Sequence, residues 1–210
     1  FSRLLRWSRG VDHQLFSPEK AATLNLPRPI FLYAGRLSVE KNIEAFLSLD
    51  LPGSKVVIGD GPAARILRAK FPDAHFFGLM SSSELAPFYA AANVFVFPSR
   101  TDTFGMVLLE ALSCGLPIAA YPVMGPKDII GLSGAGALDN DLRKAALSAL
   151  HIPREMARNH ALRFDWMNSA RQFLDNVAYA HGRKSLEIVS AEAWLRQSEC
   201  VNGNFLKSSA

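Results

Sequence analysis

Five short runs of this chain are apolar at nearly every position: IFLYAG (30–35), KVVIGDG (55–61), AHFFG (74–78), VFVFPS (94–99) and LPIAAYP (116–122). The first four are followed by stretches with helical periodicity, at 42–49, 63–70, 83–92 and from about residue 105 until Gly115 and Pro117 stop the element. Strands that are apolar throughout, instead of alternating, are expected where helices cover both faces of a parallel sheet. Strand and helix alternating at this spacing read as βαβ units. The pattern predicts an α/β fold, a Rossmann-like doubly wound parallel sheet.

Beyond residue 123 the pattern loosens into the Gly-rich MGPKDIIGLSGAGALDND, followed by helical periodicity at 142–150, 154–163 and 165–179. Asp139 or Asn140 is the expected N-cap of the first of these helices. Residues 1–20 read as a linker, 21–180 as the Rossmann-like domain, and 181–210 as a polar tail whose one candidate element is a short helix at 190–197. No internal repeat is visible.

Composition narrows the function classes. The 210 residues are 49% hydrophobic and 20% charged, which suits a folded domain with a sizeable core. A formal charge of +4 and a pI near 9.2 fit an anionic small ligand or a membrane surface. The charge is too low and too evenly spread for nucleic acid. Two cysteines, Cys114 and Cys200, make no disulfide framework and fit a reducing cytosol. No apolar run reaches the roughly eighteen residues of a spanning helix. The five histidines (13, 75, 151, 160 and 181) have no ligand spacing, so no metal site is expected. The chain opens on Phe1 without a signal-peptide pattern, and a piece of a longer protein is the expectation. Arg3, Arg6 and Arg9, interleaved with Leu4, Leu5 and Trp7, suit either peripheral contact with anionic lipid or a linker strand packed on a preceding domain.

In an open parallel sheet, ligands bind beyond the carboxyl ends of the strands. That rule selects Gly35-Arg36, Gly59-Asp60-Gly61-Pro62, Gly78-Leu79 and the loop from Ser99 to Gly105. The glycines either let backbone approach a ligand or simply make turns. The helix beginning after Thr103-Phe104-Gly105 offers free N–H groups and the positive end of its dipole, an anion site. Arg36 and Lys41 fall at the same edge and are either solvated surface charges or partners for a diphosphate.

Glu110 is the one charge inside the apolar run MVLLEALS, where an unpartnered carboxylate would cost several kcal/mol, roughly. Helical side chains lean toward the N-terminus, so Glu110 reaches back beside the anion site. Its partner is either a basic or backbone donor, or a pair of hydroxyls such as a ribose diol, since a carboxylate accepts two parallel hydrogen bonds. Asp102 is either a turn and N-cap residue or a second hydroxyl acceptor, for a sugar. No G-x-G-x-x-G, Walker motif or G-x-S-x-G is present. Phe76, Phe77, Phe95 and Phe97 are expected in the core.

Taken together, YAGRLSVEKN, VVIGDGPA and FFGLMSSSELAPFYAAANVFVFPSRTDTFGMVLLEALSCGLPIAA resemble the C-terminal domain of GT-B-fold retaining glycosyltransferases of group 1 (glycosyltransferase family 4). The resemblance runs from about Arg9, in RGVDHQLF, to about Val177. It implies a nucleotide-sugar donor, a UDP- or GDP-sugar, with Arg36 and Lys41 on the diphosphate and the Gly35 and Gly61 loops close by. It further implies Glu110 on the ribose and Asp102, the first acid of an E-x7-E pattern, facing the donor sugar. Backbone at Thr103, Phe104, Gly105, Met106 and Val107 would meet the phosphates and sugar, and backbone at Leu79 the base. The resemblance implies a metal-independent hexosyltransferase without a cofactor, cytoplasmic or peripheral to a membrane, acting on a glycan or lipid acceptor. In the family that acceptor is bound by an N-terminal domain not matched in these residues, so the chain alone is expected to bind donor without transferring sugar. A nucleotide-sugar 2-epimerase on the same fold is the remaining alternative, disfavoured by the order EKN, GDGP, TDTFG, EAL. The Asp at 102, where Glu is commoner, is similar to sulfoquinovosyl-, mannosyl- and diacylglycerol-directed members.

Overall fold

The computed structural model describes residues 5, 7–102 and 104–182, so Thr103, Arg3, Leu4, Arg6, Cys200 and the candidate helix at 190–197 lie outside the described residues. Six strands form one all-parallel sheet in the order β3-β2-β1-β4-β5-β6. They are β1 (Ile30–Ala34), β2 (Ser54–Ile58), β3 (His75–Gly78), β4 (Val94–Phe97), β5 (Ile118–Ala120) and β6 (Gly136–Leu138). The helices are α1 (Ile43–Leu47), α2 (Ala64–Lys70), α3 (Ser82–Ala91), α4 (Met106–Ser113), α5 (Pro126–Ile129), α6 (Leu142–Ala149), α7 (Arg154–Ala161) and α8 (Trp166–Ala180). This is the Rossmann-like doubly wound sheet that the apolar runs predict.

Alternation along each strand builds a core on either face. Ile30, Leu32 and Ala34 of β1 join Phe95 and Phe97 of β4 in a cluster with α3, α4 and α7. Phe31 and Tyr33 face the other way, with Val94 and Val96, against α1, α2 and α6. Each β1 residue is buried, which is why the run shows no polar positions. The first cluster also takes in Val11 and Phe16, so the compact unit begins at Arg9, upstream of the sequence boundary at residue 21.

Among the described residues, a second unit comprises Leu5, Trp7 and Ser8 with Ser169–Gly182. There Trp7 packs at a tilt against Phe173, with centroids 5.3 Å apart, and donates through Nε1 to the Ser169 carbonyl.

Three details depart from expectation. The Gly-rich stretch after residue 123 holds α5 and β6; Gly136 pairs with Ile118, and a Cβ there would stand 2.7 Å from the Ile118 carbonyl oxygen. Neither Asp139 nor Asn140 caps α6. Asp141 does, accepting from the N–H groups of Arg143 (2.9 Å) and Lys144 (3.2 Å), while Asp139 accepts from the Asp141 N–H and pairs with Lys144 at 2.7 Å. Phe95 and Phe97 are core, but Phe76 is only half-buried and Phe77 is 43% exposed, because β3 is an edge strand.

Candidate functional site

The sheet order reverses between β1 and β4: from β1 the chain winds outward through β2 and β3, and from β4 through β5 and β6. The loops leaving these two adjacent strands diverge and open a crevice. A cavity of about 320 Å³ lies there. Tyr33, Ala34, Gly35 and Arg36 line it from β1, with Lys41 just beyond. Phe97 and Asp102 line it from β4, and Gly105, Met106 and Val107 close it with the first turn of α4.

Local structure explains how these groups converge. Lys41 ends a 3₁₀ turn (Val39–Lys41) and is followed by Asn42 in the left-handed region, at φ 53°. Asn42 Nδ2 donates to the Pro98 carbonyl at 3.0 Å, tying the loop after β1 to the loop after β4. Across that tie, Lys41 Nζ meets Asp102 Oδ2 at 2.6 Å, with only 28% and 19% of the side chains exposed. Tyr33 donates its hydroxyl to the Arg36 carbonyl at 3.0 Å, fixing the turn that carries the guanidinium, and burial pushes this phenol far up.

Gly59 and Gly61 have a structural task. The loop after β2 packs directly on residues 35–37, where Leu37 N–H donates to Asp60 O at 2.9 Å and Ala63 N–H to Leu37 O at 3.0 Å. A Cβ on Gly59 would lie 1.9 Å from the Gly35 carbonyl oxygen, and one on Gly61 2.4 Å from that of Leu37.

α4 begins at Gly105, in the left-handed region at φ 82°, with no side-chain cap and no acid in its first turn. Its first N–H groups and dipole therefore face the cavity uncompensated, a site that favours negative charge. Glu110 lies one turn further along, half-buried. Its partner is neither a cation nor a backbone donor: Tyr89 OH donates to Oε2 at 3.2 Å, and no ion pair among the described residues involves Glu110. Burial raises the Glu110 carboxyl above the ordinary glutamate range, and the Tyr89 hydrogen bond opposes the rise.

Of the residues singled out in the sequence, Gly35, Arg36, Lys41, Asp102, Gly105, Met106 and Val107 share the cavity. Phe104 is half-buried against the core cluster. Gly61, Leu79 (82% exposed) and Glu110 stand outside the cavity wall, and Thr103 is outside the described residues. Sequence reasoning passed over Tyr33, Asn42 and Tyr89. The available signal was that buried tyrosine hydroxyls need partners, and that Glu110 needed a donor. Among the described residues, no group of three or more His, Cys, Asp or Glu side chains is arranged to hold a metal ion, and no helix is long and apolar enough to cross a membrane.

A doubly wound sheet with cations and a helix N-terminus at its switch point has the kind of crevice that favours an anionic ligand. The profile describing "Glycosyl transferases group 1" matches residues 28–151, and the chain belongs to that family. It is 31% identical over 202 residues to a GDP-mannose-dependent alpha-mannosyltransferase of Mycobacterium tuberculosis (strain CDC 1551 / Oshkosh), covering 88% of this chain and 53% of that one. It is 36% identical over 142 residues to the sulfoquinovosyl transferase SQD2 of Arabidopsis thaliana, covering 61% of this chain and 28% of that one. Among solved structures, sucrose-phosphate synthase from Thermosynechococcus elongatus superposes with a TM-score of 0.71 at 27% identity, over 83% of this chain and 52% of that one. The chain thus spans about half the length of the mannosyltransferase relative. Each of these relatives carries a transferase or synthase name, and none points to an epimerase.

Proposed function

We propose that the switch-point cavity binds the diphosphate of a nucleotide-sugar donor, and that the protein transfers the hexosyl group to an acceptor with retention of configuration. The observation that carries this reading is the convergence of Arg36, Lys41 and the uncapped start of α4 on one 320 Å³ cavity. Breaking the bond between the anomeric carbon and the diphosphate oxygen leaves negative charge on that oxygen. Arg36, Lys41 and the α4 N–H groups are placed to stabilise the charge as it develops, the largest single contribution available to such a site. Asp102, held by Lys41, would accept from a hydroxyl of the donor sugar through its other oxygen. Glu110 would accept from the ribose, and the Leu79 backbone would meet the base. The names of the mannosyltransferase relatives favour a GDP-sugar over a UDP-sugar.

A second reading is that the chain binds donor without transferring it. One observation favours it: among the described residues lining the cavity, the only carboxylate, Asp102, is already paired with Lys41 and so is a poor general base. The reaction would then draw on an acceptor-binding domain for a glycan or lipid, in the cytoplasm or at a membrane surface.

Calorimetric titration of the 210-residue chain with UDP and with GDP, repeated on Glu110→Ala, tests the donor site. One nucleotide should bind and lose about tenfold in affinity on substitution, the cost of a charge-assisted hydrogen bond. Binding of neither by the folded chain rejects the reading. Product analysis with acceptors then separates transfer from donor binding alone.

A further inference from the structure

We propose that Tyr89 is a positioning residue for the nucleotide: its hydroxyl holds one oxygen of Glu110 so that the other is presented to the ribose. The inference rests on the reading of Glu110 as the ribose acceptor.

Tyr89 sits on α3 with no exposed surface. Its ring packs edge-on against Phe16, with centroids 6.0 Å apart, and against Phe95, at 5.5 Å. Rings on two sides leave the tyrosine no alternative orientation in a close-packed core. A phenylalanine would satisfy that packing equally. The hydroxyl is the part that needs a reason, because an unpartnered buried hydroxyl is costly to bury. Its single partner here is Glu110 Oε2, at 3.2 Å.

The chemistry of the partner matters. A lysine or arginine in this place would neutralise Glu110, and an arginine, as a fork, would occupy both oxygens. A phenol is neutral and donates once. It fixes the plane of the carboxylate yet leaves Oε1 and the remaining lone pairs unused, one turn of helix from the Met106–Val107 wall of the cavity. A carboxylate so held can distinguish a ribose hydroxyl from hydrogen, and the full negative charge is kept for that purpose. The Tyr89 hydrogen bond also opposes the effect of burial on the Glu110 carboxyl, so it favours the ionised form that accepts from a diol.

The test compares wild type, Tyr89→Phe, Glu110→Gln and the double variant. Each is titrated with the nucleoside diphosphate that binds and with its 2′-deoxy and 3′-deoxy forms, and folding is verified by circular dichroism. Wild type should prefer the ribonucleotide. Tyr89→Phe should reduce that preference by about fivefold to tenfold, the scale of an ordinary hydrogen bond, because the residue acts through Glu110. Affinity for the deoxy form that lacks the contact should hold, and the double variant should be no worse than Glu110→Gln alone. A merely structural tyrosine would weaken ribo and deoxy forms alike, and that result overturns the inference while leaving the donor site standing. If Glu110→Gln leaves the ribose preference unchanged, or wild type binds no nucleotide, the reading of Glu110 itself fails and the inference with it. Independently of ligand, ¹³C-detected titration of Glu110 should show its carboxyl titrating at higher pH in Tyr89→Phe. No displacement would refute the tether.

Discussion

Glu110 stands between two opposed influences, and their balance gives it a pH signature. Burial raises its carboxyl and the Tyr89 hydroxyl partly restores it, leaving the group above the ordinary glutamate range in the folded chain. Such a group holds its proton more tightly in the folded chain than in the unfolded one. Its contribution to stability is therefore present below the unfolded value and lost as pH rises through the folded one. Donor binding runs the other way, because the ionised carboxylate is the better acceptor for a ribose hydroxyl. Nucleotide affinity should fall on acidification at a pH above the ordinary glutamate range. The ligand's own titration is common to all variants, so the difference in affinity between wild type and Glu110→Gln across pH isolates this carboxyl. A flat difference would exclude Glu110 from the site. The residue's importance was legible in sequence as a lone charge in MVLLEALS; its partner was not, since Tyr89 is 21 positions away and reads as one more core aromatic. The glycines were ambiguous for a similar reason. Whether Gly59 serves a ligand or a turn depends on what lies opposite, and what lies opposite is the Gly35 carbonyl. Gly59→Ala, at φ 130° and 1.9 Å from that oxygen, should destabilise the fold by about 2–4 kcal/mol in urea denaturation, with the loops after β1 and β2 forced apart.

At the scale of elements, α4 has unlike ends. Its N-terminus is left free at the cavity, whereas its C-terminus is densely satisfied by α7. Arg158 donates to the Ser113 carbonyl, to Ser113 Oγ and to the Phe16 carbonyl, and Arg154 to the carbonyls of Cys114 (3.0 Å), Ala90 (2.6 Å) and Ala92 (2.7 Å). Two guanidinium groups thus complete the orphan carbonyls of α3 and α4 and oppose the negative ends of both dipoles. Arg154→Met keeps much of the apolar stem but strands three carbonyls. It should cost about 2–3 kcal/mol of stability by denaturant titration, with faster amide exchange in the last turns of α3 and α4. Unchanged exchange there would mean that water replaces the guanidinium freely. The same scale separates what sequence could and could not supply. α4 was readable because Gly105 and Gly115 bracket a continuous apolar run. β6 and α5 were not, because three and four residues carry no period; β6 depends on pairing with β5, and α5 on packing against α4. The α6 cap lies one or two residues beyond the expected positions because Asp139, Asn140 and Asp141 are equivalent as local signals, and it is Asp141 that accepts from the Arg143 and Lys144 N–H groups.

For the molecule as a whole, topology places the cavity. The run of five apolar strands implies a parallel sheet but not its order, and the order β3-β2-β1-β4-β5-β6 makes β1 and β4 neighbours whose loops diverge. Residues from Arg36 to Val107 become one site through that reversal, with Asn42 and the Lys41–Asp102 pair joining its two lips. A nucleoside diphosphate at about a hundred times its dissociation constant should stabilise the chain by about 2.7 kcal/mol. For a chain of this size that raises the melting temperature by about 5–10 °C. Hydrogen exchange should show where the stabilisation arises: protection concentrated at residues 35–42 and at 104–110, and none in α7 or at the groove lined by Ser133, Met156, His160 and Arg163. Lys41→Ala should remove most of the protection by diphosphate, since it takes away a cation and frees Asp102 to repel the ligand. It should leave binding of the uncharged nucleoside nearly unchanged, because the proposed ribose contact lies on α4. Protection appearing instead at the α7 groove would relocate the ligand away from the switch point and separate this chain's binding site from the crevice that its strand order creates.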